Sequence, residues 1–499
     1  MSRPLYPALL ASYYVLFLWF RNIEEISIGE GAAVLAGSVV LALGLQLALA
    51  RVTRDGHAGS AVAAVWVAVC LGYGHLYSLV SQHAWGRHRY LLGATALLVF
   101  AAFLIARRGW IGPGFSAGAN WVAILLVLAS LLGLGPVLGR PVVAPPGLDP
   151  SLLAQARDAS DDESLPDVYL LILDGYGRGD VLSALYDFDN SEFLTDLESL
   201  GFAPNSGSFA NYPTTLTSLA SFLNLDYLRG DGELREGLDR LQPLYDAIRS
   251  SRLLRLFEAA GYRSTVISAH RYAKHRSLIA HTVEQCGPSW PFVDAWLATT
   301  ILRVEPRLMT MLTLDKERGR VLCQFSALEA AVDQAGPKLV LFHVISPHPP
   351  FLFRSDGTES GLVETNLVDW MPREAYTAQL EFVNRKTRRV LTKLALRRER
   401  PSITVLLADH GPASLMSPGW SLGAAAVRER SPILLAVHDS RGTVATEDVP
   451  LSPISATRWL VNSALGLSLP YLEDRAFFSD RESPPLVFVD VTELAGGVH

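Results

Sequence analysis

Two apolar runs in this chain end in acids. Val168–Leu173 leads into Asp174 and Gly175, and Ile403–Ala408 leads into Asp409, His410 and Gly411. A carboxylate at the end of a buried strand needs a cation or hydrogen-bond donors beside it, because an uncompensated buried charge costs several kcal/mol. Two such ends, one carrying an imidazole, point to a shared metal site. Oxygen-rich ligation with one histidine suits a single divalent ion, Mn, Mg or Zn. A third segment, Asn211–Ser221, carries Thr214, Thr215, Thr217 and Ser218 where a loop enters a helix. Hydroxyls there face unpaired backbone amides and the positive end of the helix dipole, a setting that by itself favours an N-cap at Thr214 or Thr215 over a site for holding a phosphate. With an ion on Asp174, Asp409 and His410, a threonine alkoxide from this segment would attack phosphorus at neutral pH. His348, in Ser346–Phe351, is placed to contact a phosphoryl oxygen or protonate a leaving group, or else to serve as a structural histidine in a Pro-rich loop.

The elements that must position these residues are those of an α/β sheet. Strands are expected at 168–173, 263–268, 338–345, 402–408, 432–437 and 486–490, and helices at 190–200, 216–224, 245–260, 325–335, 374–396 and 453–464. The strands are continuous apolar runs, the mark of a largely parallel sheet covered on both faces. Ligands of such sheets bind beyond the carboxyl ends of the strands. Asp174, Asp409, His410 and His348 all follow strands in that way.

The first third of the chain is different. The chain has 499 residues, 49% of them hydrophobic. Much of the apolar content lies in five stretches, about 4–20, 32–50, 60–80, 89–106 and 118–137, each near the length of a membrane-spanning helix. His75 and Cys70 interrupt the third and are expected to pack inside it. Five arginines (Arg3, Arg51, Arg54, Arg107, Arg108) fall on one side and four (Arg21, Arg87, Arg89, Arg140) on the other, the latter with Glu24, Glu25 and Glu30. That bias favours a cytoplasmic N-terminus, and an odd number of spans then puts the rest outside. The expected division is a transmembrane domain at 1–139, a Pro-rich and acidic linker at 140–166 with a short surface helix around 152–157, and an outer domain at 167–499. Cys286 and Cys323 are available for one disulfide in an oxidising compartment. A net charge of -6 without a long basic tract argues against nucleic acid as a partner.

Asp174-Gly175 after a strand, the threonine loop, His348-Pro349-Pro350-Phe351 and Asp409-His410-Gly411 together resemble the alkaline phosphatase and sulfatase superfamily. More narrowly, they resemble its membrane-anchored sulfatase-like hydrolase/transferase branch, which includes lipoteichoic acid synthases and phosphoethanolamine transferases. The resemblance covers about 166–440. It implies an alkaline-phosphatase-like three-layer α/β domain behind a five-helix transmembrane bundle. It also implies Asp174, Thr215, Asp409 and His410 as metal ligands, Thr215 as nucleophile and His348 as substrate contact. Thr215 is preferred to Thr214 because the family has a Leu about eight residues after its nucleophile and a small polar residue next, matched here by Leu223 and Asn224. Three departures qualify the match. Thr215 is not followed by the x-Pro-x-Arg of formylglycine sulfatases. No Asp-x-x-x-His pair for a second ion is found, Asn384 standing where a carboxylate might. Cysteines are fewer than in most phosphoethanolamine transferases.

The resulting expectation is an integral membrane enzyme of the plasma membrane with an extracytoplasmic catalytic domain, transferring a phosphoryl-linked group from or to a membrane lipid or envelope glycan. The alternatives are a sulfatase-like hydrolase or phosphodiesterase, and a non-catalytic glycan-binding membrane protein. Among lesser candidates, Arg178 and Asp180 are read as a helix-start ion pair or a substrate contact. His270, Arg271, His275 and Arg276 are read as a solvated loop or an anion-binding cluster. His343 is read as core, and Trp290, Trp296 and Trp370 as apolar walls or a membrane contact.

Overall fold

The computed structural model describes residues 3–21, 28–80, 83, 86–132, 147–159, 164–228, 241–274, 278–284, 286, 291–305, 314–361, 370–397, 399–416, 423–479 and 486–496. The chain forms two compact units, one of residues 1–141 with 288–315, the other of 142–287 with 316–499.

The first unit is built on α1 (Tyr6–Arg21), α2 (Ile28–Thr53), α3 (Gly56–Val80), α4 (His88–Arg107) and α5 (Pro113–Leu132). The last four are long and apolar enough to cross a membrane, while α1 is apolar but has only 16 residues. Among the described residues the structure thus supplies four helices of spanning length where five were expected. Their burial is inverted relative to a soluble bundle: Leu41, Leu97 and Leu125 are exposed whereas Ser38, Ser60, Ser116 and Asn120 are buried. In lipid there is no gain from hiding leucine, and small or polar residues at the seams let helices approach and hydrogen-bond. Asn120 shows the principle. Its Oδ1 accepts from the backbone amides of Leu5 and Tyr6 at 2.8 and 2.9 Å, and its Nδ2 donates to the Arg3 carbonyl at 2.8 Å. The orphan donors at the start of α1 are therefore satisfied from α5, as a low-dielectric setting requires.

Of the later segment that belongs to this unit, the described residues 291–305 pack on this bundle. Its helix Pro291–Thr299 begins against α2, where Glu30 Oε1 accepts from the amides of Phe292 and Val293 at 2.9 and 3.2 Å. Phe292 is buried with Val15 and Val34, with Trp296 packed alongside. Gly74 of α3 makes the fit: a Cβ there would collide with the carbonyl of Ala298 and lie 2.6 Å from Thr299 Cα. We therefore expect Gly74→Leu to unseat the 291–304 segment while leaving the spans intact. Faster proteolysis within 291–315, at unchanged helical circular dichroism, is the measurement that checks this.

The second unit holds a seven-stranded sheet in the order β2-β7-β6-β1-β5-β3-β4. The strands are β1 (Asp167–Leu173), β2 (Ala203–Pro204), β3 (Arg263–Ser268), β4 (Thr282–Glu284), β5 (Lys338–Val344), β6 (Ser402–Leu407) and β7 (Leu435–Asp439). Pairing is parallel from β6 through β1, β5 and β3 to β4, while β7 runs antiparallel to β6 and to β2. Every residue of β1, β5 and β6 is buried, so helices cover both faces. Two expectations need correction. The run at 486–490 is not in this sheet; β9 (Phe488–Asp490) pairs with β8 (Phe477–Ser479) as a separate ribbon. The helix expected at 245–260 is two, Gln242–Arg249 and Arg252–Ala259, because Ser251 caps a new start by accepting from the Leu254 amide. Within the expected linker, Pro150–Asp158 is a helix capped by Asp149. Cys286 and Cys323 are joined, with Cα atoms 5.4 Å apart.

Register prepares the site. Ile172 of β1 lies opposite His343 of β5 and Leu407 of β6. Side chains alternate faces along a strand, so Asp174, two beyond Ile172, and Asp409, two beyond Leu407, continue the face that His343 shares. Below them that face is apolar, made of Val168, Leu170, Ile172, Leu339, Leu341, Ile403, Val405 and Leu407. The helix Thr215–Phe222 packs on the same face through Leu219, Ala220 and Phe222. Its N-terminus therefore delivers the threonines to the acids.

Candidate active site

The loop after β1 turns sharply. Gly175 has φ +78°, and a Cβ there would lie 2.6 Å from the Trp370 ring and 3.4 Å from His348 Cβ. Only glycine combines that backbone with that packing. Tyr376 holds the turn, donating to the Gly175 carbonyl at 3.0 Å and accepting from the Gly177 amide at 3.2 Å.

Around this turn Asp174, Thr215, Asp409 and His410 come together. Thr215 Oγ1 lies 3.2 Å from Asp174 Oδ2 and 3.1 Å from His410 Nε2. His410 Nε2 is also 3.5 Å from Asp174 Oδ1 and 3.4 Å from Asp409 Oδ2. Asp409 Oδ1 is occupied, accepting from the amides of Gly175 and His410 at 3.2 and 3.0 Å. Asp174 Oδ1 and Asp409 Oδ2, by contrast, are buried without a hydrogen-bond partner. Orphaned carboxylate oxygens beside an imidazole nitrogen are costly unless a cation joins them. Donor atoms of this kind, gathered in one buried place, suit a divalent ion.

The imidazole is prepared for that role. His410 Nδ1 lies 3.1 Å from the Gly411 carbonyl, which can only accept, so Nδ1 carries the hydrogen and Nε2 offers its lone pair. Burial, reinforced by the Arg430 charge, holds its pKa well below the ordinary histidine value. Burial also pushes the Asp409 carboxyl up to about 7, with the negative charge of Asp174 adding to the effect. For Asp174 burial acts in the same upward direction but is outweighed by His348, by a hydrogen bond from His343 and by His410, and its pKa is lowered. Two buried carboxylates sharing one site do not both ionise easily. Below about pH 7 an incoming ion must displace the Asp409 proton. We expect Zn2+ or Mn2+ affinity of the metal-stripped protein to fall by about tenfold per pH unit on acidification below that point, with release of one proton, as calorimetry in buffers of different ionisation enthalpy would show.

The two threonines take different parts. Thr214 is the N-cap, its side chain accepting from the Thr217 amide, whereas Thr215, the first helical residue, points its hydroxyl at the acids. Ser218, one turn further, lies 2.8 Å from the Asp409 carbonyl and ties this helix to the β6 end. His348 stands at the mouth, its ring centroid 6.0 Å from that of His410 and edge-on to Trp370 at 4.8 Å. Its Nδ1 donates to the Pro349 carbonyl at 2.7 Å. Burial lowers its pKa.

His343 was read as core, and it is buried in β5, yet its Nε2 reaches Asp174 Oδ2 at 3.4 Å while Tyr272 lies 3.3 Å from Nδ1. Asp174, His343 and Asp409 present ligand atoms within 4.8 Å of one another, a group able to hold a metal ion. Nothing in the sequence marked His343, because its shared face with Asp174 is set by the pairing of β5 with β1. Arg430 was equally unmarked; it enters from a helix beyond Asp409 and sets Nη2 3.1 Å from His410 Nε2. Other candidates are used elsewhere. Arg178 pairs with Asp180 at 2.7 Å. Asn384 bonds Tyr176 and Asn190. His270 stacks on Tyr245 and lies tilted against Tyr272 and His343. Trp370 walls the site, and Trp296 belongs to the first unit. His275, Arg276 and Trp290 lie outside the described residues.

No family model matches the chain, and no curated protein matches it. Solved structures do, 57 chains in number. The C-terminal periplasmic domain of EcEptC from Escherichia coli, in complex with Zn, is 13% identical over 66% of this chain and 93% of its own, with a TM-score of 0.43. BT1596, a 2-O GAG sulfatase, is 10% identical over 63% of this chain and 77% of its own, at 0.40. The integral membrane lipooligosaccharide phosphoethanolamine transferase A (EptA) from Neisseria meningitidis is 12% identical over 87% of this chain and 88% of its own, at 0.35. The structural neighbours are phosphoethanolamine transferases, sulfatases and alkaline phosphatase superfamily members. At such identities the chemistry of the site follows from its own geometry.

Proposed function

We propose that the chain is a membrane-anchored, metal-dependent transferase of a phosphoryl-linked group, acting on a lipid-linked or cell-envelope substrate with Thr215 as nucleophile. The observation that carries this reading is the convergence of Thr215 Oγ1, His410 Nε2 and two carboxylate oxygens that have no hydrogen-bond partner. One divalent ion held by Asp174, Thr215, Asp409 and His410 would lower the hydroxyl pKa and offset charge on the phosphoryl group. The side chains do the rest. Thr215 Oγ1 directs its hydrogen to Asp174 Oδ2 and attacks phosphorus. The bond from phosphorus to the donor's alcohol breaks, the proton ends on that alcohol, and the group stays on Thr215 as a phosphodiester. An acceptor hydroxyl then attacks the same phosphorus and gives its proton to His348 Nε2, and the Thr215 oxygen leaves and takes that proton up, restoring its hydroxyl. His343, whose Nε2 must donate to a carboxylate, keeps Asp174 in place.

In this reading α1 is a fifth span. Its 16 residues reach about 24 Å, and it lies among α2, α3 and α5. Five spans put the second unit on the side opposite the N-terminus. The Cys286–Cys323 disulfide supports an oxidising, extracytoplasmic location for it.

The test is incubation of full-length protein, in vesicles, with phospholipid donors and each of Zn2+, Mn2+ and Mg2+. The expected result is a Thr215 peptide heavier by the transferred group, followed by its appearance on an added sugar acceptor. Release only to water would make the enzyme a phosphodiesterase. Absence of both an adduct and a stoichiometric ion would overturn the reading.

A further inference from the structure

The loop Ser346–Phe351 contains Pro347, Pro349 and Pro350, so half of its residues bring a carbonyl without an N–H. Such a loop cannot pair its own backbone, and its buried carbonyls need donors from elsewhere. One side chain supplies them. Gln379, wholly buried on the helix Arg373–Leu396, sets Nε2 3.2, 3.1 and 3.3 Å from the carbonyls of Pro347, His348 and Pro350. Its Oε1 accepts from the amides of Leu352 and Phe353 at 2.6 and 3.3 Å. Carbonyls only accept and backbone amides only donate, so the two ends of the side chain cannot be exchanged. Tyr376, three residues earlier and on the same side of that helix, holds the Gly175 turn. One helix face therefore grips both the turn after Asp174 and the loop of His348. The His348 amide donates to the Asp174 carbonyl at 3.0 Å, and its Nδ1 is tied to the Pro349 carbonyl. With backbone and ring both held, the place of Nε2 is set.

We infer that Gln379 is a positioning residue, which fixes His348 Nε2 where it takes the proton of the acceptor hydroxyl and so governs the second displacement rather than the first. This role rests on the functional reading above and adds the residue that sets its geometry. A methionine of similar length would leave five backbone groups without the partner they have now, and the loop would move to find others. A displacement near 1 Å is enough to cost about 100-fold in a step that depends on placement. Thr215 and Asp409 have their own supports, in the helix Thr215–Phe222 and in the amides of Gly175 and His410, so the first displacement is spared.

The test uses full-length protein saturated with Zn2+ and bis-p-nitrophenyl phosphate. The first displacement releases p-nitrophenolate and leaves a p-nitrophenyl phosphodiester on Thr215; the second passes that group to water or an added alcohol. Stopped-flow absorbance times the first, and the mass of the Thr215 peptide times the second. Gln379→Met is expected to keep the first rate and to slow the second by at least about tenfold, and joining it to His348→Ala should slow the second no further than His348→Ala alone. His348 should also be modified faster by diethyl pyrocarbonate in Gln379→Met than in wild type. Equal slowing of both steps, or slowing that adds to that of His348→Ala, would overturn the inference and leave Gln379 as a support of the fold. If Gln379→Met fails to fold, Gln379→Asn, which keeps the amide on a side chain one methylene shorter, is read in the same way; wild-type rates of the second step and of His348 modification would refute the assignment. If no Thr215 adduct forms in wild type, or if His348→Ala loses its adduct at the wild-type rate, the functional reading fails. The modification rate then decides for Gln379: a faster rate in the variant upholds its grip on His348, and an unchanged rate overturns it.

Discussion

Thr215→Ala should abolish turnover, by about ten-thousand-fold or more, in a protein that still folds and still binds oxyanions. The residue is only half-buried, at the first turn of a helix capped by its neighbour, so its hydroxyl contributes little to holding the helix. Thr214→Ala should do the converse. It removes the N-cap acceptor and costs about 1 kcal/mol of stability, while kcat changes by no more than a few-fold. Steady-state turnover and thermal melts of the two variants, side by side, separate the nucleophile from the cap. If Thr214→Ala is the inactive one, the mechanism proposed here is wrong in its central residue.

Asp409→Asn should give effects of opposite sign with and without the ion. In the stripped protein Asp409 and Asp174 are two carboxylates in one buried site, and the Asp409 pKa is pushed from 3.8 up to about 7 by burial first and the Asp174 charge second. A raised pKa means the folded state prefers the protonated form. The stabilisation from that neutral carboxyl is full below the unfolded value and lost as pH rises through the folded one. At pH 8 with a chelator the wild type therefore carries an unfavourable charge that asparagine lacks. The variant should melt about 2 °C or more above wild type there, and the gap should close as pH falls below about 7. With saturating Zn2+ the order should invert, because wild type gains the binding free energy and the variant has lost a charged ligand. Activity should fall by at least about 100-fold. Melts at pH 8 and pH 6, each with chelator and with ion, give the comparison; a variant that melts lower in all four conditions would show that Asp409 is a structural carboxylate.

Part of this architecture is legible in the amino-acid sequence. The alternation of apolar runs with amphipathic stretches announced β1, β3, β5, β6 and the helices Arg373–Leu396 and Pro453–Leu465, because periodicity reports local burial directly. The same local signal placed acids at the ends of β1 and β6, and five apolar runs of which four became helices long enough to cross a membrane. Two stretches were harder to read. Residues 245–260 look like one amphipathic helix until Ser251 is seen to cap a second start. Residues 291–305 lie between strand-bearing segments, yet they pack on the membrane bundle through Glu30 and Gly74, partners more than two hundred residues away.

The sequence by itself determined which residues are acids at strand ends and which hydroxyls begin a helix. Composition and periodicity are properties of contiguous residues. Only the tertiary structure decided that β6, β1 and β5 are neighbours, so that Asp409, Asp174 and His343 share one face. It gave the physical difference between Thr215, aimed at the acids, and Thr214, spent on the cap, which the sequence ranked only through the family resemblance. It also brought Arg430 to the carbonyls of Pro213 and Gly411 at once. Strand order and side-chain convergence are set by pairing and packing between segments far apart in the chain, and no local pattern encodes them.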